Sequence, residues 1–183
     1  MTKINIKPFL WASVVTIVFT YSIISTWFSQ GFLSDISKTV TVIAFLWFLY
    51  AKWFWKFCTY IKVLPYPYIG GEWEGELHST YKEGKTIKIQ TTIKHRLFNS
   101  SLSLETNESK SVSNSFSFDI DEERGFNRII YTYQNVPDAT VRDHSEIHFG
   151  TAMLSIIDEG QTLKGNYWTD RGTTGTITLH KKK

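Results

Sequence analysis

The sequence is poor in cysteine, with Cys58 as its only one among 183 residues. A single cysteine excludes a disulfide framework within the chain, which fits a protein of a reducing compartment. It also excludes zinc sites built from paired Cys-x-x-Cys motifs. The pair His144 and His148 does not replace them, because four residues of a β-strand span roughly 13 Å, too far for one metal ion. We therefore expect no metal site.

The motifs that usually announce catalysis are absent as well. The sequence has no phosphate-binding loop, no nucleophile elbow and no His-Glu-x-x-His helix. Three glutamates, Glu72, Glu74 and Glu76, alternate along one segment, so they share a solvated strand face instead of forming an acid–base pair. We expect no enzymatic activity, no catalytic residue and no cofactor.

A general excess of positive charge is also missing from most of the chain. Residues 1–63 carry six lysines against Asp35 alone, whereas residues 64–183 carry 14 Lys or Arg against 16 Asp or Glu. The formal net charge of +3 therefore belongs to the N-terminal third. Because the remainder lacks a cationic excess, we expect no DNA or RNA polymer as a partner.

The N-terminal third does contain two long apolar stretches. Residues 9–28 hold no charged side chain, and a helix of that length spans roughly 30 Å, the thickness of the hydrocarbon core of a bilayer. A second stretch runs over about residues 39–60, after the link 29–38. We predict a two-helix transmembrane hairpin within residues 1–63, in contact with a lipid bilayer. An interfacial or re-entrant second segment is the alternative, because Lys52 interrupts it.

The flanking lysines predict the orientation of this hairpin. Lys3 and Lys7 precede the first helix, and Lys52, Lys56 and Lys62 lie at the end of the second. Positively charged flanks stay on the cytoplasmic side, so both termini are expected in the cytoplasm. A cleaved signal peptide is disfavoured, because large aromatic residues occupy positions 27 and 28, where cleavage needs small ones.

The first apolar stretch is rich in hydroxyl side chains. Thr16 and Thr20 lie four residues apart and therefore share one helix face. Such side chains let helices approach closely and hydrogen-bond in lipid, which favours association between chains. The alternative is that each hydroxyl bonds back to its own helix.

Residues 64–71 form a linker with two prolines and two glycines, which cannot continue a helix. Beyond it, residues 72–183 alternate apolar and polar side chains in about eight short runs separated by turn residues. One such run places Val112, Phe116 and Phe118 on the same face. We predict an all-β domain, an eight-stranded antiparallel barrel of lipocalin-like size, with a two-sheet sandwich as the runner-up.

This organisation resembles a known family. Two apolar helices and a proline linker precede an opening strand with Ile69-Gly-Gly-x-Trp73-x-Gly75, and the chain closes with Leu163-x-Gly-x-Tyr-Trp168 followed by Gly175-Thr-Ile-Thr-Leu179. It is similar to the SMODS-associated two-transmembrane, β-strand-rich effectors of bacterial cyclic-oligonucleotide antiphage (CBASS) systems.

The resemblance implies a function. A cytoplasmic barrel would bind a cyclic di- or oligonucleotide made by a partner CD-NTase synthase. Binding would drive self-association of the transmembrane helices, which would disrupt the bacterial inner membrane. A membrane-tethered barrel that binds a lipid or another apolar molecule is the alternative, and an interior without Arg or Lys would favour it. A fully packed scaffolding barrel is a third hypothesis.

A cyclic nucleotide needs aromatic faces for its bases and donors for its phosphates. The aromatic candidates share positions in or beside the strands: Tyr81, Tyr131, Tyr133, Tyr167 and Trp168. Core filling is the competing interpretation for Tyr131 and Tyr133, and Trp73 is expected to plug the barrel. Arg171 and Thr173, in the last hairpin, are the expected phosphate donors, although Arg171 is equally well read as a solvated turn residue.

Overall fold

The computed structural model describes residues 7–61, 64, 66–80, 84, 86–121, 123–143 and 145–182, with side chains from Leu10 onward. The chain divides into a helical unit that ends at Cys58 and a barrel unit that begins at Thr59. Each unit has its own internal contacts.

The helical unit contains two long apolar helices. Helix α1 covers Lys7–Trp27 and α2 covers Phe32–Leu49; a π-helical turn, Tyr50–Phe54, continues α2 into the short α3, Trp55–Tyr60. By length and composition, Leu10–Trp27 and Phe32–Tyr60 are each sufficient to cross a membrane. The second helix therefore begins seven residues before the apolar stretch marked in the sequence.

Asp35 explains this early start. Its carboxylate is buried and accepts hydrogen bonds from Ser29 Oγ (2.8 Å) and the Gln30 backbone N–H (3.2 Å). Lys38 Nζ donates to the carbonyl of Phe28 at 2.9 Å. An acidic side chain in the first turn also interacts favourably with the helix dipole. Residues 29–38, the link predicted from the sequence, therefore belong partly to a four-residue turn and partly to the first turns of α2. The hydrogen bonds of Asp35 and Lys38 hold the turn against the helix.

Hydroxyls of α1 bond back to their own helix. Thr16 donates to the carbonyl of Ala12 at 2.7 Å, and Thr26 and Ser25 donate to that of Ser22 at 2.8 and 3.1 Å. In the single chain these three hydroxyls are satisfied without a second helix, as the alternative interpretation of the sequence required.

The barrel unit consists of eight strands: β1 Gly71–Ser79, β2 Thr86–Lys94, β3 Ser101–Glu105, β4 Ser109–Asp121, β5 Phe126–Pro137, β6 His148–Ile157, β7 Thr162–Thr169 and β8 Thr174–Lys181. Each strand pairs antiparallel with its neighbours in the chain, and β8 pairs with β1 to close the sheet. Two apolar helices followed by a closed eight-stranded barrel confirm the predicted fold class. The closure through β1 and β8 rules out the sandwich.

One strand differs from the predicted alternation. The register of β4 against β5 shifts between Ser113 and Ser115, so Asn114 is an extra residue in the strand. Such a bulge reverses the face on which later side chains lie. Phe116 and Phe118 therefore pack inside the barrel, whereas Val112 lies outside and is 46% exposed. The predicted shared face of Val112 and the two phenylalanines was wrong for this reason.

The linker closes one end of the barrel. Ile69 and Trp73 are fully buried, and the Trp73 indole N–H donates to the carbonyl of Ile69 at 3.0 Å. Tyr66 stacks on Phe118 with a centroid distance of 4.6 Å. Trp73 thus fills the barrel interior at this end, as expected from the sequence. Because the linker covers this end, the opposite end of the barrel is the candidate site for a ligand.

Candidate functional site

Buried polar side chains gather at the end of the barrel opposite the linker. In an up-and-down barrel, the ends of odd strands meet the beginnings of even ones, so residues distant in sequence share this layer. Five buried polar residues lie there, one from each of five strands, and together define the polar end: Ser79, Ser111, Asn135, His148 and Thr169. Buried polar groups need partners, so such a layer is either internally bonded or prepared for a ligand.

Part of this layer is internally bonded. Ser111 Oγ donates to Asn135 Oδ1 at 2.8 Å, and the hydroxyls of Thr169 and Thr173 are 2.6 Å apart. The hydroxyls of Ser111 and Thr169 therefore have partners within this end of the barrel.

Arg171 brings a positive charge to the polar end. It lies in the turn between β7 and β8, and its Nη2 is 3.5 Å from His148 Nε2. His148 Nδ1 donates to the carbonyl of Glu146 at 3.0 Å, which leaves the Nε2 lone pair facing the guanidinium. Burial, together with the nearby charge of Arg171, lowers the pKa of His148, so its ring is neutral at pH 7.

Two tyrosines complete the site. Burial, reinforced by the nearby Tyr167 phenol and Asp170 carboxylate, raises the pKa of Tyr133. Burial likewise raises the pKa of Tyr167, whose hydroxyl is hydrogen-bonded to Ser79. Both phenols stay protonated at neutral pH and remain hydrogen-bond donors.

Glycines on the neighbouring strands make room for these rings. A Cβ atom at Gly150 would collide with the ring of Tyr133, and one at Gly175 would lie 2.6 Å from Tyr167 Cε1. Their missing side chains are what allow both rings to lie inside the barrel beside the polar layer.

The structure unites four of the seven residues chosen from the sequence. Four of them lie at the polar end, in or next to the buried polar layer: Tyr133, Tyr167, Arg171 and Thr173. Tyr131 lies one inward position deeper, where it is fully buried.

The other two selected residues lie elsewhere or cannot be placed. Trp168 follows Tyr167 on β7, faces outward and is 44% exposed. Tyr81 lies outside the described residues, as does His144. Among the residues that the structure describes, no three His, Cys, Asp or Glu side chains are grouped as metal ligands.

Sequence reasoning missed much of the polar layer. Ser111 and Asn135 were not selected, and His148 was considered only as a metal ligand. A clue was present, because Asn135 continues the inward series of Ile129, Tyr131 and Tyr133 at period two. A polar residue that extends an apolar face is a candidate for the end of a pocket.

A larger concavity exists on the outside of the barrel, with a volume of about 890 Å³. Its walls include Glu74, Glu76 and Glu105, with Lys88 as the cation. Carboxylates repel phosphate, so this outer groove is a poor site for an anionic ligand despite its size. The polar end combines a cation, neutral donors and aromatic rings, which is the combination that recognises nucleotides.

Comparison with known proteins shows the family of the chain. Residues 64–181, the linker and the barrel, match the family described as "Cap15, cyclic dinucleotide receptor domain". The chain is 33% identical over 183 residues to CD-NTase-associated protein 15 of Staphylococcus schleiferi, covering 99% of this chain and 98% of that protein. It is 28% identical over 162 residues to CD-NTase-associated protein 15 of Escherichia albertii, covering 84% and 83%. The chain therefore belongs to the Cap15 family, the two-transmembrane-helix CBASS effectors whose β-barrel is a cyclic dinucleotide receptor domain.

Proposed function

We propose that the polar end of the barrel binds a cyclic dinucleotide made by a partner CD-NTase synthase. The single observation that carries this proposal is that Arg171, the buried polar layer and two tyrosines meet at the barrel end that the linker leaves free. In our assignment Arg171 binds a phosphate, with Thr173 as a neutral donor beside it. Tyr133 and Tyr167 contact the bases.

The charge of the site suits a ligand with two phosphates. One guanidinium neutralises one phosphate through strong charge-assisted hydrogen bonds. His148 is neutral beside it, and a second phosphate near its ring would favour the protonated form. The site therefore gains its second positive charge only when the anion is present.

The helical unit supplies the proposed response. Both apolar helices are long enough to cross a bilayer, and the flanking lysines favour cytoplasmic termini. We infer a multi-pass protein of the bacterial inner membrane whose helices self-associate when the barrel is occupied and so disrupt that membrane. The protein then acts by binding and assembly, without a catalytic step.

The second hypothesis, an apolar ligand such as a lipid, fits the polar end less well. Arg171 is an exposed turn residue, but its Nη2 lies 3.5 Å from Nε2 of the buried His148. An apolar molecule at this end would offer no hydrogen bond to the polar groups that it covers.

A titration of the full-length protein in lipid nanodiscs tests the proposal. Cyclic di-AMP, cyclic di-GMP and cyclic GMP–AMP are added separately while heat of binding and thermal unfolding are recorded, with the linear dinucleotides as controls. At a hundredfold excess over Kd, binding stabilises the folded state by about 2.7 kcal/mol, a readily measured rise in Tm. A panel in which no cyclic dinucleotide gives heat or a rise in Tm overturns the proposal.

A further inference from the structure

The linker is held at the closed end of the barrel by few directed bonds. The Ile69 backbone N–H donates to His95 Nδ1 at 3.2 Å, and Lys181 Nζ donates to the carbonyl of Tyr68 at 3.0 Å. The ring of Tyr68 stacks on that of His95 with a centroid distance of 5.4 Å. We call this arrangement the latch. The linker covalently connects the helices to the barrel, so a change in either part can change the conformation of the linker.

The latch touches an aromatic pair on β4. Tyr66 of the linker stacks on Phe118 at 4.6 Å, and His95 lies 4.8 Å from the same ring. Phe118 in turn packs edge-on against Phe116 at 5.5 Å. These separations fall within the range in which aromatic pairs attract one another.

The contacts continue to the polar end. Phe116 lies 6.4 Å from Tyr131, directly opposite it on β5, and Tyr131 lies 5.9 Å from Tyr133. Seven rings thus form an unbroken row along the barrel interior, which we call the aromatic row: Tyr68, His95, Tyr66, Phe118, Phe116, Tyr131 and Tyr133. One end carries the latch and the other lies in the site assigned to the ligand.

We propose that the aromatic row transmits occupancy of the polar end to the latch and releases the linker. This inference rests on the proposed function, which places a base beside Tyr133. Closely packed rings leave little free volume, so a displaced Tyr133 must displace its neighbours. The strands are fixed by continuous ladders of hydrogen bonds, whereas the linker is held by the latch, by the Trp73–Ile69 hydrogen bond and by the burial of Ile69, so the linker is the part that gives way. The two states are a latched and a released linker, and the ligand favours the second.

Hydrogen–deuterium exchange in the full-length protein, measured in nanodiscs, tests this coupling. The probe is the Ile69 backbone amide, which is protected by His95 in the latched state. The ligand is whichever of cyclic di-AMP, cyclic di-GMP and cyclic GMP–AMP binds the unsubstituted protein. Saturation is expected to accelerate exchange at Ile69 by about fivefold or more, the lower end of ordinary allosteric coupling.

Phe118→Leu removes the ring that joins β4 to the latch and keeps an apolar side chain in the core. Because coupling is reciprocal, it is expected to bind the ligand more tightly by the same factor, about fivefold or more, while the ligand no longer accelerates exchange at Ile69. Ile129→Val is the matched control, because Ile129 pairs with Phe118 across β4 and β5 but carries no ring. It should keep the full response. Phe116→Leu, which removes the ring between Phe118 and Tyr131, replaces Phe118→Leu if that variant does not fold.

The outcomes separate this inference from the function on which it rests. A protein that binds none of the three nucleotides overturns both. Binding without faster exchange at Ile69 overturns the coupling alone. A full ligand response in Phe118→Leu or Phe116→Leu likewise shows that the signal does not pass through the aromatic row.

Discussion

Single side chains divide the barrel interior into two chemically different ends. At the linker end Trp73 satisfies its indole N–H on the backbone and lies among apolar and aromatic side chains, with the buried Thr91 opposite it on β2. At the polar end, serine, threonine, asparagine and histidine take inward positions that an ordinary core would fill with apolar residues. Buried polar groups need hydrogen-bond partners, so the predictions at this scale concern them.

Arg171→Ala is expected to weaken binding of a cyclic dinucleotide by roughly 10- to 100-fold, because a hydrogen bond to a charged group contributes about 1.5–3 kcal/mol. Isothermal titration calorimetry measures the change. Arg124→Ala is the matched control, since Arg124 lies in the turn between β4 and β5 at the other end of the barrel. Equal losses in the two variants would indicate general electrostatic attraction instead of a phosphate site at Arg171.

The pH dependence of binding should follow His148. Burial lowers its pKa in the free protein, so the neutral ring's contribution to stability is present above the ordinary value of about 6.5 and is lost as the pH falls. A phosphate beside the ring raises that pKa, and binding then takes up a proton. Affinity is expected to rise as the pH falls from about 7.5 to 6, by at most about tenfold per pH unit.

Calorimetry in buffers of different ionisation enthalpy measures the proton uptake directly. His148→Gln should remove both the uptake and the pH dependence, leaving Arg171 and Asp170 as the charged neighbours of that position. His180→Gln, on the outer face of β8, should change neither. Proton uptake that persists in His148→Gln would assign the titration to another group.

Among the strands, the closest approaches occur where glycine faces inward. Gly150→Ala is expected to destabilise the barrel by roughly 1–3 kcal/mol, because the new methyl group meets the ring of Tyr133 and lies 2.9 Å from the carbonyl of Trp168. Thermal unfolding measures the loss. The double variant Gly150→Ala with Tyr133→Leu should recover part of it. No recovery would mean that the backbone contact, and not the ring, sets the penalty.

Among the helices, α1 presents the clearest test of assembly. Thr16 lines a cavity of about 180 Å³ between α1 and α2 and satisfies its hydroxyl within its own helix. Thr16→Asp combined with Thr20→Asp is expected to abolish ligand-dependent toxicity without lowering ligand affinity, because a carboxylate within the membrane is costly by about 2.5–3.5 kcal/mol.

Growth after induction of the synthase and calorimetry give the two readouts. Thr16→Val with Thr20→Val is the control, since it keeps the shape of the side chains and removes only their hydroxyls. Toxicity that survives the aspartates would exclude assembly through α1.

For the whole molecule, the inferred topology makes a simple prediction. A tag placed after the barrel should resist protease added outside intact spheroplasts and be digested after lysis, because the topology inferred from the flanking lysines places both termini in the cytoplasm. The full-length protein should sediment with membranes after gentle lysis. Digestion of the tag from outside, or recovery of the protein in the soluble fraction, would contradict the topology.

Much of the architecture could be derived from local sequence. The apolar length of residues 9–28 predicts a helix of bilayer length, and period-two alternation after residue 72 predicts short antiparallel strands, because both patterns depend only on neighbours in the chain. Features that depend on the exact number of residues in a turn or strand were harder to predict from the sequence. The start of α2 at Phe32 depends on the hydrogen bonds made by Asp35. The bulge at Asn114 places Phe116 and Phe118 on the face opposite to that of Val112, which lies outside.

The candidate site, too, could be predicted only in part from the sequence. Arg171 and Thr173 could be chosen from the sequence because a turn with a cation and hydroxyls is visible locally, and Tyr133 and Tyr167 because aromatic residues suit bases. Trp168 was chosen by composition, but its position next to inward-facing Tyr167 turns it outward. Ser111 and Asn135 are 24 positions apart, and nothing in either segment alone indicates that they bond.

The sequence by itself therefore determined the two apolar helices, the linker and the alternating strands, since each arises from the chemistry of residues close together in the chain. Only the tertiary structure decided that the barrel closes through β1 and β8, that buried polar groups collect at one end, and that seven rings connect that end to the linker. Closure brings together residues from strands far apart in the chain, and their register, which a single extra residue can shift, sets which side chains meet inside.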